Sequence, residues 1–444
     1  MRPSTFSGRA AIALLALICL LAGATRAAAR QSAPSGPDTA DPPAAAAPQP
    51  DAAEPAAPQK QTVTVSVTSE PRPSMTIYGF AMLDIGHDFK QINPNWSDTM
   101  RVTKLPSFKN QFGEDNNTFA GVRQSRLGVK ASTPTTLGEL KTTFEFELFG
   151  TGVDEGQTTF RLRHAYGELG HFGAGQYWSP FMDPDVFPNS LEYWGPTGMV
   201  FFRNVQFRWM PIQGDKHLTI ALERPGASGD AGVYADRVEL QNVKARFPAP
   251  DLSGEYRMGG SKGYIEVAGI LRYMKWDDVL DDAFDLSGSA IGWGINLSSN
   301  IKFGSSDTLR LQGVFGEGIQ NYMNDSPVDV GIVRNPGNTR TPIRGETIPI
   351  TGIVAFLDHN WNAKASTAIG YSGQMNDNTE GQTPDSFKNG HYVLGNFLYS
   401  PVPNAMVGVE VQWGKRENFS DGFTSDATKI QVSFKYNFSA KIGG

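Results

Sequence analysis

KIQVSFKYNF, residues 429–438, alternates without a break: Ile430, Val432, Phe434, Tyr436 and Phe438 point one way, and Gln431, Ser433, Lys435 and Asn437 point the other. A period of two with one apolar face is the pattern of a half-solvated strand. In a secreted bacterial-type chain, an aromatic-ended strand of this kind is suited to closing an outer-membrane barrel on its first strand. That predicts a pore rather than an enzyme.

The same alternation recurs upstream. Leu140, Phe144, Phe146 and Leu148 oppose Lys141, Thr143, Glu145 and Glu147, and Val407, Val409, Val411 and Trp413 oppose Gly408, Glu410 and Gln412. Further runs carry Leu218, Ile220 and Leu222, then Ile265, Val267, Leu271 and Tyr273, then Ile291, Trp293, Ile295 and Leu297. The chain holds 48 Gly, 27 Phe, 13 Tyr and 8 Trp, yet its mean hydropathy is negative. A barrel looks polar on average because half of each strand faces water.

Arg2 and Arg9 precede an apolar run, Ala10 to Leu21, which is followed by small residues suited to cleavage after Ala24 or Ala29. This predicts a secretory signal peptide over residues 1–24. The one cysteine, Cys19, lies inside it, so the mature chain is expected to have no disulfide and no thiolate chemistry. Residues 25–74 are mostly Ala, Pro, Gln, Ser and Asp. Such a segment buries too little apolar surface to order itself, and is read as a disordered periplasmic tether.

Nothing after the signal holds 18 consecutive apolar residues, so a membrane-embedded chain would have to be a closed barrel, which alone satisfies every backbone group in lipid. Short connections are predicted near 134–138, 169–172, 211–215, 259–262, 303–307, 359–361 and 401–404. Longer ones are predicted at 87–118, 150–157, 180–199, 225–250, 276–287, 321–346, 374–390 and 417–428. Short turns on one rim and long loops on the other are the outer-membrane pattern. Val238 to Phe247 also looks extended and would bring the count to 17. An odd number separates the termini onto opposite rims, so that segment is assigned to the loop before Asp251. The expectation is an all-β fold: a 16-stranded antiparallel transmembrane barrel over residues 75–438, with a short tail at 439–444. Tyr78, Trp178, Trp209, Trp276, Trp413 and Tyr436 cluster toward strand ends, as interface girdles do.

Alternation turns Arg126, Lys130, Lys141, Arg161, Arg163, Arg208, Arg257, Arg272, Lys302, Arg310, Lys364, Arg416 and Lys435 inward, against Glu145, Glu147, Glu223, Glu255, Glu266 and Glu410. The whole chain is acidic, with a formal net charge of −6. A basic interior therefore places the acids mainly in loops, and a basic pore enriches anions. Arg126, Arg161, Arg163, Arg208, Arg272 and Arg310 are the expected pore-lining set. Residues 180–199, PFMDPDVFPNSLEYWGPTGM, suit a loop folded into the lumen, where Asp183, Asp185 and Glu192 would face Arg161, Arg163 and Arg208 across an eyelet.

These segments resemble the DcaP-like outer-membrane porins. The resemblance runs from 75 to 438 through SMTIYGFAMLDIGHDF, QSRLGVKAST, TTFRLRHAYGELG with QYWSPF, and YSPVPNAMVGVEVQWGKREN with KIQVSFKYNF. It implies a 16-stranded homotrimer in the outer membrane, passing small anions, dicarboxylates among them, through an arginine-lined constriction. Some relatives carry a helical extension before the barrel where this chain has its Pro/Ala tether.

His87, His164, His171, His217, His359 and His391 fall in no paired-ligand spacing, and no Gly-x-Ser-x-Gly occurs. No catalytic residue, metal ligand or cofactor is expected, nor any nucleic-acid partner. The expected partners are other copies of the chain, membrane lipid and lipopolysaccharide, and small anionic solutes. Two other readings stand beside the selective porin: a structural or unselective barrel, and a barrel enzyme. Passage should be passive, because no nucleotide-binding motif supplies energy.

Overall fold

The computed structural model describes residues 72–443; the expected signal peptide and nearly all of the tether lie outside the described residues. The described chain forms a closed antiparallel barrel of 16 strands. In chain order they are β1 (Ser74–Asp88), β2 (Asn117–Gly121, resumed at Arg126–Thr135), β3 (Gly138–Phe149), β4 (Thr158–Leu169), β5 (Phe172–Trp178), β6 (Arg203–Ile212), β7 (Lys216–Glu223) and β8 (Val243–Arg246, resumed at Asp251–Gly260). The second half comprises β9 (Gly263–Asp278), β10 (Gly288–Phe303), β11 (Asp307–Glu317), β12 (Pro349–Asn362), β13 (Ala365–Asn376), β14 (Phe387–Tyr399), β15 (Ala405–Asn418) and β16 (Thr424–Gly443). Among the described residues the helices are short 3-10 turns.

Closure is made along the whole of β1. Ser74 lies opposite Gly443 and Asp88 opposite Lys429, with unbroken register between them. The last strand thus runs past Phe438, and residues 439–443, expected as a tail, belong to the closing ladder. The extended segment before Asp251 resolves similarly: Val238–Asn242 is a 3-10 turn, but Val243–Arg246 pairs with the upper end of β9. It supplies the top of β8 rather than loop, and the count of 16 stands because both pieces occupy one place in the wall. The turn expected at 359–361 falls at 362–365 instead: the ladder continues to Asn362, with Trp361 bulged from it and its indole donating to Thr367 Oγ1 at 2.9 Å.

Side chains follow the period of two. On β16, Lys429, Gln431 and Ser433 are fully buried toward the lumen while Tyr436 and Phe438 are exposed outside. On β10, Asn296 and Ser298 face in, and Ile291 and Ile295 face out. Exposed Leu83, Leu127, Phe207, Leu222, Val267, Leu271, Ile369, Phe397 and Val411 continue this outer apolar belt. Of the expected girdle aromatics, Trp209, Trp413 and Tyr436 face outward. Tyr78 and Trp178 face the lumen, where Tyr78 donates to Glu145 and Trp178 meets Phe201 edge to face, and Trp276 sits beneath loops, donating to the Leu286 carbonyl. Strand-end position alone does not say which face an aromatic takes.

The inner wall is not uniformly polar. Val354, Phe356, Ala368, Tyr392 and Leu394 all face in, and Met100, Val102 and Leu105 from the first long loop cover them together with Val186 and Met199 from the third. A second apolar patch, Ala268, Ile270, Val314 and Ile350, receives Phe181, Met182 and Val200. Two loops are thus seated inside the barrel on apolar platforms.

An outward charge at mid-strand should be costly. Ile295→Arg is expected to lower unfolding stability in lipid vesicles by about 2–4 kcal/mol, measured by denaturant titration. An unchanged midpoint would place β10 in another register.

Candidate functional site

A cavity of about 580 Å³ lies in the lumen between the β1–β6 wall and the third long loop, residues 179–202. Its wall is built by a β-bulge. Glu145 pairs with His164 and Phe146 with Leu162, which leaves Arg163 as an extra residue on β4. Strict alternation would send one of Arg163 and His164 outward, but the bulge turns both inward, each about 5% exposed.

Arg163 lies between two glutamates, its Nε 2.6 Å from Glu145 Oε1 and its Nη1 2.6 Å from Glu147 Oε2. Glu147, whose side chain is fully buried, also lies 3.4 Å from Arg126, 3.5 Å from Arg161 and 3.7 Å from Arg203. Tyr193 of the loop donates its hydroxyl to Glu147. Four guanidinium groups therefore surround two carboxylates, and the cluster keeps an excess of positive charge. Arg126 and Arg161 carry that excess to the lumen, with side chains 24% and 29% exposed.

Aromatic rings hold these cations without neutralising them. Arg163 and Arg203 lie over Trp178, and Arg126 and Lys435 lie over Phe80, with Lys435 Nζ 4.1 Å from that ring. Arg126 Nε and Arg203 Nη1 are buried donors without a hydrogen-bond partner.

The opposite side is the loop, and its acids serve as anchors. Asp183 is fully buried and accepts from Arg257 at 2.7 Å, Tyr264 at 2.6 Å and Ser298 at 2.6 Å. Glu192 is buried and accepts the backbone N–H groups of Met100, Trp194 and Gly195. Burial raises the Glu192 carboxyl to about 7, against the lowering effect of those N–H groups. Asp185 alone of the three is exposed, and it pairs with Arg257 at 2.5 Å. The expected eyelet, with these acids facing Arg161, Arg163 and Arg208, is therefore not formed: Asp183 and Glu192 turn into the wall because docking the loop needs buried acceptors there. Gly198 lets the loop backbone touch the wall, since a Cβ would meet the backbone of Gly373 and Ile353.

Of the six arginines expected to line the pore, Arg126, Arg161 and Arg163 come together. Arg208 lies lower, over Tyr166 and Tyr177, donating to Gln206 and the Trp178 carbonyl. Arg272 is sealed between Asp251 and Asp329. Arg310 pairs with Asp358 at 2.6 Å and donates to the Asp185 carbonyl, which pins the loop. Arg203 and Tyr193 complete the cluster; both sit in or just after the loop, outside any alternating run.

A protein-family model for the DcaP outer membrane protein matches residues 57–438. The chain belongs to that family. Its members are outer-membrane proteins, and this chain is an integral outer-membrane porin barrel. The outer membrane channel DcaP of Acinetobacter baumannii is 18% identical, with a TM-score of 0.68 over 83% of this chain and 98% of that one. The anion-selective porin from Comamonas acidovorans is 10% identical, with a TM-score of 0.53 over 83% and 100%. OmpT of Vibrio cholerae in its trimer form is 12% identical, with a TM-score of 0.51 over 83% and 100%. At these identities the likeness is one of fold. A comparison with curated proteins returns no match.

The buried loop acid sets a pH dependence. A folded-state value of about 7 against an ordinary 4.5 means that protonated Glu192 favours docking. The stabilisation is complete below about 4.5 and is lost as pH rises through about 7. Single-channel noise from the loop should increase across that window, and Glu192→Gln should abolish the increase. A wild-type trace independent of pH would contradict this.

Proposed function

We propose that this barrel passes small hydrophilic anions by passive diffusion, with dicarboxylates as the favoured class. The observation that carries the reading is the one-sided constriction. Arg126, Arg161, Arg163, Arg203 and Lys435 line the cavity against a single acid, Glu192, whose carboxyl is buried and bound to backbone N–H groups, while Asp183 is buried as an anchor. A fixed positive excess in a narrow, low-dielectric passage raises local anion concentration and repels cations.

A solute with two carboxylates can meet Arg126 and the neighbouring Arg161 together, and guanidinium groups pair with carboxylates in a planar, two-point manner that a lone chloride does not exploit. The aromatic faces of Trp178, Phe187, Phe201 and Phe202 on the same cavity accommodate a carbon skeleton. Family membership supports a channel role, and the fold is shared with a porin described as anion-selective. A homotrimer is supported by the likeness to OmpT in trimer form. The outer apolar belt is the surface on which lipid, lipopolysaccharide or a second copy would lie.

The deciding measurement is reversal potential in a salt gradient across a planar bilayer. Wild-type protein should be anion-selective, and Arg126→Gln with Arg161→Gln should move the potential toward zero with the barrel still folded. Cation preference, or no change in the double variant, would overturn the proposal. An unselective barrel gives a potential near zero throughout, and an occluded structural barrel gives no current.

A further inference from the structure

Below the constriction, a second cluster lies on three adjacent strands. His217 on β7, Glu255 on β8 and Glu266 on β9 all face the lumen, in a register where Arg257 is opposite both His217 and Glu266. One ligand atom from each residue lies within 4.8 Å of the others, and His217 Nε2 is 3.7 Å from Glu255 Oε1. His217 and Glu255 line an open cavity of about 510 Å³ at the short-turn end of the barrel, beside Arg208, Glu168 and Lys141. Ions from the periplasm reach it directly.

Two further observations point to a ligand. Glu266 is 1% exposed; its Oε2 accepts from Arg257 at 2.6 Å, but its Oε1 is buried with no hydrogen-bond partner. His217 Nδ1 lies 3.2 Å from the Gly214 carbonyl oxygen. A carbonyl only accepts, so Nδ1 carries a proton, and Nε2 is the nitrogen that faces the carboxylates. A ring nitrogen tied to a backbone carbonyl is the usual support for a metal-ligating histidine.

The electrostatics of this quadrant favour a cation despite the arginines. Arg257 is shared among Asp183, Asp185 and Glu266, and Arg208 is bound to Gln206 and a backbone carbonyl. Arg208 keeps its charge beside these neutral partners and, with Arg257, acts on Glu255; even so, the four carboxylates of Asp183, Asp185, Glu255 and Glu266 outnumber the two guanidinium groups. One imidazole with two carboxylates suits zinc better than magnesium or calcium, which take oxygen donors.

We propose that His217, Glu255 and Glu266 form a binding site for one divalent transition-metal ion of the zinc type at the periplasmic end of the lumen. Bonds of about 2.0–2.2 Å require the donors to close on the ion, and the Glu255 side chain, which borders the open cavity, supplies that movement. The remaining coordination position faces the lumen. The bound charge offsets Glu255 and Glu266 and makes the lower passage more favourable to anions.

The test uses the full barrel purified in detergent, equilibrated with micromolar zinc sulfate, gel-filtered and assayed by elemental analysis. The expected result is one zinc per chain. His217→Ala and Glu266→Gln should each weaken retention on the order of tenfold or more, whereas Glu139→Gln, on the same rim, should not. In a planar bilayer, zinc should shift the wild-type reversal potential toward anions and leave His217→Ala unmoved. Wild-type protein that retains no zinc, or both ligand variants retaining the wild-type amount, would overturn the proposal. Folding is checked by the shift in gel mobility on boiling; should a variant misfold, wild-type stoichiometry and Glu255→Gln decide.

Discussion

The closing ladder between β1 and β16 is the constraint from which the rest follows. In hydrocarbon a free strand edge leaves a row of backbone donors and acceptors without partners, each costing several kcal/mol. Pairing from Ser74 against Gly443 to Asp88 against Lys429 removes both edges at once. Closure then divides every strand into a lipid face and a lumen face, and it is this division that lets Arg126, Arg161 and Arg163 share one aqueous interior though they lie on different strands.

Within that interior, apolar burial decides where the charges end up. Phe181, Met182, Val186, Leu191, Met199 and Val200 from the third loop are all buried, and each such side chain contributes roughly 1.5–3 kcal/mol. Leu191 packs on Met82 of β1 and Leu398 of β14, but the platforms of the others lie mainly on β9–β14, so most of the loop is drawn to that side. The acids on the loop then become acceptors for Arg257, Tyr264, Ser298 and backbone N–H groups. What remains open is the strip between the loop and β1–β6, where basic residues exceed acids. The basic excess along that strip thus depends on hydrophobic packing as much as on the arginines themselves.

Much of this was legible in the sequence. The alternation at Lys429–Phe438 identified the fold and the lumen face, and the choice of an even strand count held. The pore-facing set was harder. Arg163 and His164 both face inward only through a bulge, which no periodicity encodes. Arg203 and Tyr193 adjoin or belong to a loop. Arg272 and Arg310 alternate as predicted, but their partners, Asp251 with Asp329 and Asp358, are distant in sequence. One signal was available: Val354 and Phe356 are apolar on the inward face, opposite the outward Ile353 and Leu357, and a wet lumen has no use for them unless something covers them. His217, Glu255 and Glu266 could not be joined by spacing, because adjacent strands rather than neighbouring residues bring them together.

The seating of the third loop is the central claim, and thiol reactivity in the folded protein tests it most directly. With Cys19 in the segment read as a signal peptide, Leu191→Cys and Asp185→Cys each provide a single thiol in the mature chain. A bulky, water-soluble thiol reagent should modify the cysteine at 185 rapidly and leave the one at 191 protected until the barrel is unfolded. Equal, fast modification at both positions in the folded barrel would show that the loop stands free of the wall.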